Sequence, residues 1–132
     1  MRTARRLLFF AALLTVLLTA ATARTASHHS RYYKQAKRII YAVFPSSTAA
    51  AALRVVGCET GYTYSPWSYN RSSGASGYFQ VLQGNAGRVL RYGGKALTIP
   101  SGSALFLPWT NARVALFLSK GGTDWGEWSC SP

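Results

Sequence analysis

At 132 residues, with 15 Lys and Arg against 3 Asp and Glu and a formal charge of +12, the chain has room for one domain and excludes a multidomain architecture. The excess of positive charge points to an anionic partner, among which nucleic acid, anionic membranes and bacterial cell-wall polymers come first.

The first stretch, MRTARRLLFFAALLTVLLTAATA, opens with Arg2, Arg5 and Arg6 and continues with an apolar run from Leu7 to about Leu18. It ends on Ala21-Thr22-Ala23, small residues spaced for a signal peptidase. That order reads as a secretory signal peptide over residues 1–23 rather than a retained anchor, for which the run is short. Removing it takes three arginines and lowers the formal charge from +12 to +9. For a secreted protein, a membrane or wall polymer fits the charge better than nucleic acid does. The mature chain buries one modest core with a thin margin. Cys58 and Cys130, an even count in an oxidising compartment, read as a disulfide rather than two free thiols.

Residues 24–38 are polar and basic and read as a flexible lead-in that turns helical near its end. The adjacent His28 and His29 are poorly spaced for two metal ligands, and no metal is expected. Arg38 to Pro45 is a short apolar segment closed by proline, expected to be a small helix. In the next stretch, SSTAAAALRVVGCETG, Ser46, Ser47 and Thr48 are N-cap candidates and Gly61 is a stop, so Glu59 falls in the last turn of a largely buried helix. Tyr62 to Ser73 is loop-like and rich in aromatics. Gly74 and Gly77 bracket a turn before an extended Tyr78 to Leu82, a candidate hairpin. Gln83 to Lys95 carries a weak helical pattern through Ala86, Val89 and Leu90, and Ala96 to Leu107 reads as connection. Pro108 opens the clearest later helix, with Ala112, Ala115, Leu116 and Leu118 on its apolar face and Gly121 and Gly122 at its close.

Glu59 is the one acidic residue before Asp124. The carbonyl end of a helix and apolar surroundings both favour the neutral form of a carboxyl group. A carboxyl that keeps its proton is what a general acid in glycoside cleavage requires. The alternative is a surface glutamate with no role. Directly after Glu59 come Tyr62, Tyr64, Trp67 and Tyr69, side chains that pack on sugar rings as readily as they fill a small core. Ser76 and Gln80 offer hydrogen bonds to N-acetyl and hydroxyl groups of a glycan.

The ordered pieces Cys58-Glu59-Thr60, Asn70, Ser73 to Gln80 (SGASGYFQ), Asn111 to Arg113 and Trp125 to Cys130 together resemble the lysozyme-like lytic transglycosylase superfamily. Its members include the soluble lytic transglycosylase type and small secreted actinobacterial domains related to resuscitation-promoting factors. The resemblance covers roughly Ile39 to Cys130; no piece is specific alone, but the ordered set is. It implies a mainly α (α+β), small lysozyme-like domain over residues 39–132, with a short β-hairpin beside a cleft and one disulfide. It implies a secreted monomer that needs no cofactor and no nucleic acid, and that cuts the β-1,4 bond between N-acetylmuramic acid and N-acetylglucosamine in peptidoglycan. Glu59 takes the catalytic position as acid and then base, closing a 1,6-anhydro ring, a route that needs no second acid. Asn70, Ser76, Tyr78 and Gln80 are the implied substrate-binding residues, and a Cys58–Cys130 bridge ties the catalytic helix to the tail. Two departures stand out. FQVLQGNAGRVL lacks the proline and tryptophan that many relatives carry after Phe-Gln, and Tyr78 replaces a Leu or small residue. Glu127, three residues from Cys130, and Asp124 are candidates for a second acid. The competing readings are a non-catalytic glycan-binding module and a cationic membrane-active protein.

Overall fold

The computed structural model describes residue 29 and residues 31–132. The signal-peptide reading of residues 1–23 and the start of the basic lead-in, with His28, lie outside the described residues. Two compact units divide the chain, and the second, Tyr32–Pro132, holds every element below.

Helix α1 is helical from the start of this unit to residue 43, beginning earlier than the apolar Arg38 to Pro45 segment suggests. Its inward stripe is Ala36, Ile39 and Ile40, all buried, with Val43 packed beside them, spaced one helical turn apart as an amphipathic helix requires. Pro45 disfavours a helical residue before it and ends the run. Helix α2, Ala49–Glu59, buries Ala49, Ala52, Leu53, Val55, Val56 and Gly57. Thr48 is the N-cap residue but makes no side-chain cap; its hydroxyl donates instead to the Gly121 carbonyl at 2.7 Å, a tertiary bond to the far end of the chain. At the other end the Gly61 N–H donates to Cys58 O at 3.1 Å and the Tyr62 N–H to Gly57 O at 2.6 Å. These two bonds satisfy carbonyls that a helix C-terminus leaves open, so the chain turns sharply right after Glu59.

Three short strands follow, β1 Tyr69–Asn70, β2 Ala75–Ser76 and β3 Val81–Leu82, in an antiparallel sheet of order β1-β2-β3. Residues 77–80 form the turn between β2 and β3, so of the expected extended Tyr78 to Leu82 only Val81 and Leu82 are strand. Gly77 sits at φ +77°, and a Cβ there would collide with the Asn111 side chain and the Leu105 carbonyl oxygen. The weakly helical Gln83 to Lys95 stretch is a 3-10 turn, Gln83–Asn85, followed by β4, Val89–Tyr92, which pairs with β5, Lys95–Thr98. Gly93 and Gly94, at φ +57° and +75°, supply the two left-handed residues of a two-residue hairpin turn. A 3-10 turn, Gly102–Phe106, leads into helix α3, Pro108–Leu118, with Pro108 in its first turn as expected.

The chain is thus a small α+β domain with three helices among the described residues, two small sheets and one disulfide. The helical elements stand where the sequence places two of them, and the β content is larger than one hairpin. The core joins α1, the 77–80 turn and the C-terminal tail through aromatic rings. Phe79 stacks on Trp125 at 6.0 Å and 13°, Phe44 on Trp125 at 6.1 Å, and Trp128 meets Trp125 edge-on at 5.0 Å.

Among the polar residues that lie inside the described fold without exposure, Ser76, Asn111 and Ser119, it is Asn111 of α3 that bridges separate elements. Its Oδ1 accepts the Phe79 N–H at 2.9 Å. Its Nδ2 donates to Ser76 O at 2.9 Å and Leu105 O at 2.8 Å. Replacing it by alanine leaves three buried backbone groups unpaired, each costing about 1–3 kcal/mol. Asn111→Ala is therefore expected to lose about 3 kcal/mol or more, read as a lower urea midpoint at unchanged slope. A loss under about 1 kcal/mol would mean these bonds do not hold the fold together.

Candidate functional site

Glu59 is the last residue of α2, half-buried. Its Oε1 accepts the backbone N–H of Cys130 at 3.1 Å. That contact exists because Cys58, one residue earlier, is bonded to Cys130 across 72 residues of sequence, with the two Cα atoms 6.0 Å apart. Among the described residues Oε2 makes no hydrogen bond within the protein, so one carboxylate oxygen is oriented and the other is available. The tail is fixed a second time by Trp128, whose indole N–H donates to Phe79 O at 2.8 Å.

Glu59 lines a cavity of about 310 Å³ together with Asn70, Gln80, Leu82, Glu127 and Trp128. Asn70 ends β1, and its Oδ1 accepts from the Ser72 N–H at 3.0 Å and the Ser72 hydroxyl at 2.6 Å. This side-chain turn closes the 70–73 loop and leaves the Asn70 amide NH₂ for other partners. Gln80 closes the β2–β3 turn with φ +46°, a conformation uncommon outside glycine. Its Nε2 donates to Ser68 O at 3.0 Å and Gly77 O at 2.9 Å; these bonds hold the strained residue and leave its Oε1 as an acceptor. The cavity therefore offers a carboxyl group, an amide donor and an amide acceptor beside the apolar Leu82 and Trp128.

Three of the residues singled out in the sequence, Glu59, Asn70 and Gln80, come together here; Ser76 and Tyr78 do not line this cavity. Ser76 is fully buried, its hydroxyl donating to Gly74 O at 3.1 Å and accepting from Gln83 Nε2 at 3.1 Å. Tyr78 is also fully buried, and its hydroxyl has no hydrogen-bond partner among the described residues. Burial first, then repulsion from a charged Tyr32, push its phenol up to about 12, with Arg38 opposing. Ser76 is held inward by Asn111, whose amide donates to its carbonyl, and Tyr78 lies in the turn at 77–80, where the alternation of a strand does not apply.

Of the two further acids, Glu127 shares the cavity with Glu59, but both its oxygens accept from the Arg88 guanidinium, at 2.9 and 3.1 Å. Asp124 faces elsewhere and pairs with Lys120 at 2.7 Å. The Lys120 hydrogen bond, then the Gly126 N–H, hold its carboxyl below the usual range. Trp128 and Leu82 were not anticipated as site residues. The signal for Trp128 was present, since a tail tied to Cys58 brings its neighbours to Glu59. Outside the cavity, Trp67 and Tyr69 stay exposed and pack on Phe106 with ring centroids 6.2 and 6.1 Å apart. No group of three metal-ligating side chains gathers among the described residues, and no helix there is long and apolar enough to cross a membrane.

Comparison of the chain with protein-family models, with curated proteins and with solved structures finds no match.

Two outcomes follow from this geometry. Because the folded phenol of Tyr78 titrates near 12 and an unfolded one near 10, the folded state keeps a proton that the unfolded state loses. Its contribution is complete below pH 10 and is lost as pH rises toward 12, up to about 2.7 kcal/mol in all. Tyr78→Phe should match or exceed the parent in stability at pH 7, and chemical denaturation from pH 9 to 11 should show a shallower decline; an identical decline would contradict it. Replacing both cysteines by serine should cost up to about 4 kcal/mol on chain-entropy grounds and speed hydrogen exchange at the residue 130 amide. Unchanged protection there would show that the disulfide does not hold the tail on Glu59.

Proposed function

We propose that this chain is a secreted peptidoglycan-cleaving enzyme of lysozyme-like architecture in which Glu59 is the general acid and base. The observation that carries this reading is the arrangement of Glu59 itself. It ends a buried helix, has one oxygen bonded to the Cys130 N–H, and opens on a cavity with amide groups from Asn70 and Gln80. An N–H donor requires a lone pair on Oε1, so a proton carried by this carboxyl belongs on Oε2. Nearby exposed Trp67 and Tyr69 suit the flat faces of sugar rings.

The steps are as follows. Oε2 gives its proton to the oxygen linking N-acetylmuramic acid to N-acetylglucosamine. The C1–O bond breaks with its electron pair leaving on that oxygen, and positive charge develops at C1 of the muramic ring. The same carboxylate, now ionised, takes the proton of the muramic C6 hydroxyl as O6 attacks C1. The product is a 1,6-anhydro ring, and Glu59 recovers its starting proton. One carboxylate completes the cycle. This suits a chain in which the Asp124 and Glu127 carboxylates are both held by cations. The basic charge of the chain suits a polyanionic wall.

The test is release of soluble muropeptides by the protein and by its Glu59→Gln variant, with products analysed by mass spectrometry. Loss of a general acid–base group is expected to lower the rate by about 10²–10⁴-fold. Equal release from both, or none from either, would end the enzyme reading; retained binding to peptidoglycan without release would favour a glycan-binding module. Leakage of anionic liposomes that survives Glu59→Gln and fades with salt would favour membrane action.

A further inference from the structure

A second and larger cavity, about 520 Å³, shares no lining residue with the Glu59 cavity. It lies where the β4–β5 hairpin and α3 meet. Three of its walls are aromatic: Tyr92 from the hairpin, and Trp109 and Phe117 from α3. The walls are fixed, since Tyr92 meets Phe117 edge-on at 5.9 Å and 72° and reaches over Gly121. Trp109 nonetheless remains 43% exposed, so its ring face is open to a ligand.

Lys95 of β5 and Arg113 of α3 line the same cavity. Trp109 and Arg113 are four residues apart and so lie on one face of α3. Neither cation has an acidic partner. The chain has 3 acidic residues: Glu127 is held by Arg88, Asp124 by Lys120, and Glu59 accepts from Cys130 N–H. A neighbouring cavity of about 350 Å³ contains Arg88, Arg91 and Lys120 together with Asp124 and Glu127, and there two of the three cations are paired with those carboxylates. The larger cavity thus combines two uncompensated cations with exposed aromatic surface.

We infer that this cavity is a binding site for an acidic saccharide, with a sugar ring against Trp109 and Tyr92 and its carboxylate paired with Lys95 and Arg113. Charge complementarity selects an anion, and Arg113 suits the planar, bidentate geometry of a carboxylate. The aromatic walls select a ring. A polyol phosphate chain has the charge but no ring to cover the tryptophan. A cavity of this volume is in the range that encloses a small ligand, and its fixed walls lower the ordering cost of binding. The site does not depend on the proposed chemistry at Glu59.

The test is an NMR titration of the full, isotopically labelled chain with four probes: trigalacturonic acid, carrying rings and carboxylates; maltotriose, carrying rings alone; glycerol 3-phosphate, carrying charge alone; and oligothymidylate, a nucleic acid. Trigalacturonic acid is expected to shift the Trp109 indole signal and the Lys95 and Arg113 amides saturably, at least about tenfold more tightly than either control. The Lys95→Gln, Arg113→Gln double variant, at two exposed positions, should lose about tenfold or more in affinity while its remaining spectrum stays unchanged. The Glu59→Gln variant should bind as the parent does, which separates this site from the proposed catalytic one. The inference is overturned if maltotriose or glycerol 3-phosphate binds as well as the acid, if the double variant binds unchanged, or if the Trp109 signal does not move. Tighter binding of oligothymidylate through the same signals would overturn it in favour of a nucleic acid.

Discussion

The peptide of Phe79 is held from both sides. Its N–H donates to Asn111 of α3 and its carbonyl accepts from Trp128 of the tail, while its ring lies buried against Trp125. These bonds join the turn between β2 and β3 to α3 and to the C-terminal tail. Gln80 follows directly, and its strained backbone is tolerable because the residue before it cannot move. An unpaired amide in such a place is expensive, and a fully satisfied one specifies a single arrangement. Gly77 belongs to the same constraint, since any side chain there would displace Asn111.

The tail extends this constraint to Glu59. From Trp128 the chain reaches Cys130 in two residues, and the disulfide to Cys58 sets the Cys130 N–H on the Glu59 carboxylate. The two ends of the cavity are therefore fixed by one stretch of chain: Gln80 through Trp128 and Phe79, Glu59 through Cys130. The scarcity of acids has a counterpart in how they are placed. Glu127 and Asp124 are each neutralised by a cation, and of the three acids Glu59 alone is bonded only through a neutral donor.

Much of this was legible in the sequence. Helices α2 and α3 announce themselves by alanine-rich apolar runs, by Pro108, and by the glycines beyond them; the position of Glu59 at a helix end follows from the same signals. The disulfide follows from two cysteines. The β4–β5 hairpin was hidden because Ala86, Val89 and Leu90 fall at helical spacing, and Gly93-Gly94 serves equally as a helix stop and as a two-residue hairpin turn. Ser76 and Tyr78 illustrate a different limit. Their chemistry suits a glycan, but which side of a tight turn faces the core is decided by Asn111, 35 residues away from Ser76. Thr48 has the right residue type for a cap, and a carbonyl 73 residues away takes its hydroxyl. Contacts at such separations leave no periodic trace.

The proposed reaction rests on one carboxylate completing both proton transfers without an activated water. Digestion of peptidoglycan in water enriched in oxygen-18, followed by mass spectrometry of the released fragments, tests that directly. It predicts 1,6-anhydro ends that carry no heavy oxygen, because the muramic C6 hydroxyl supplies the new bond at C1. Reducing ends carrying one heavy oxygen would contradict it and would assign the second half of the reaction to water.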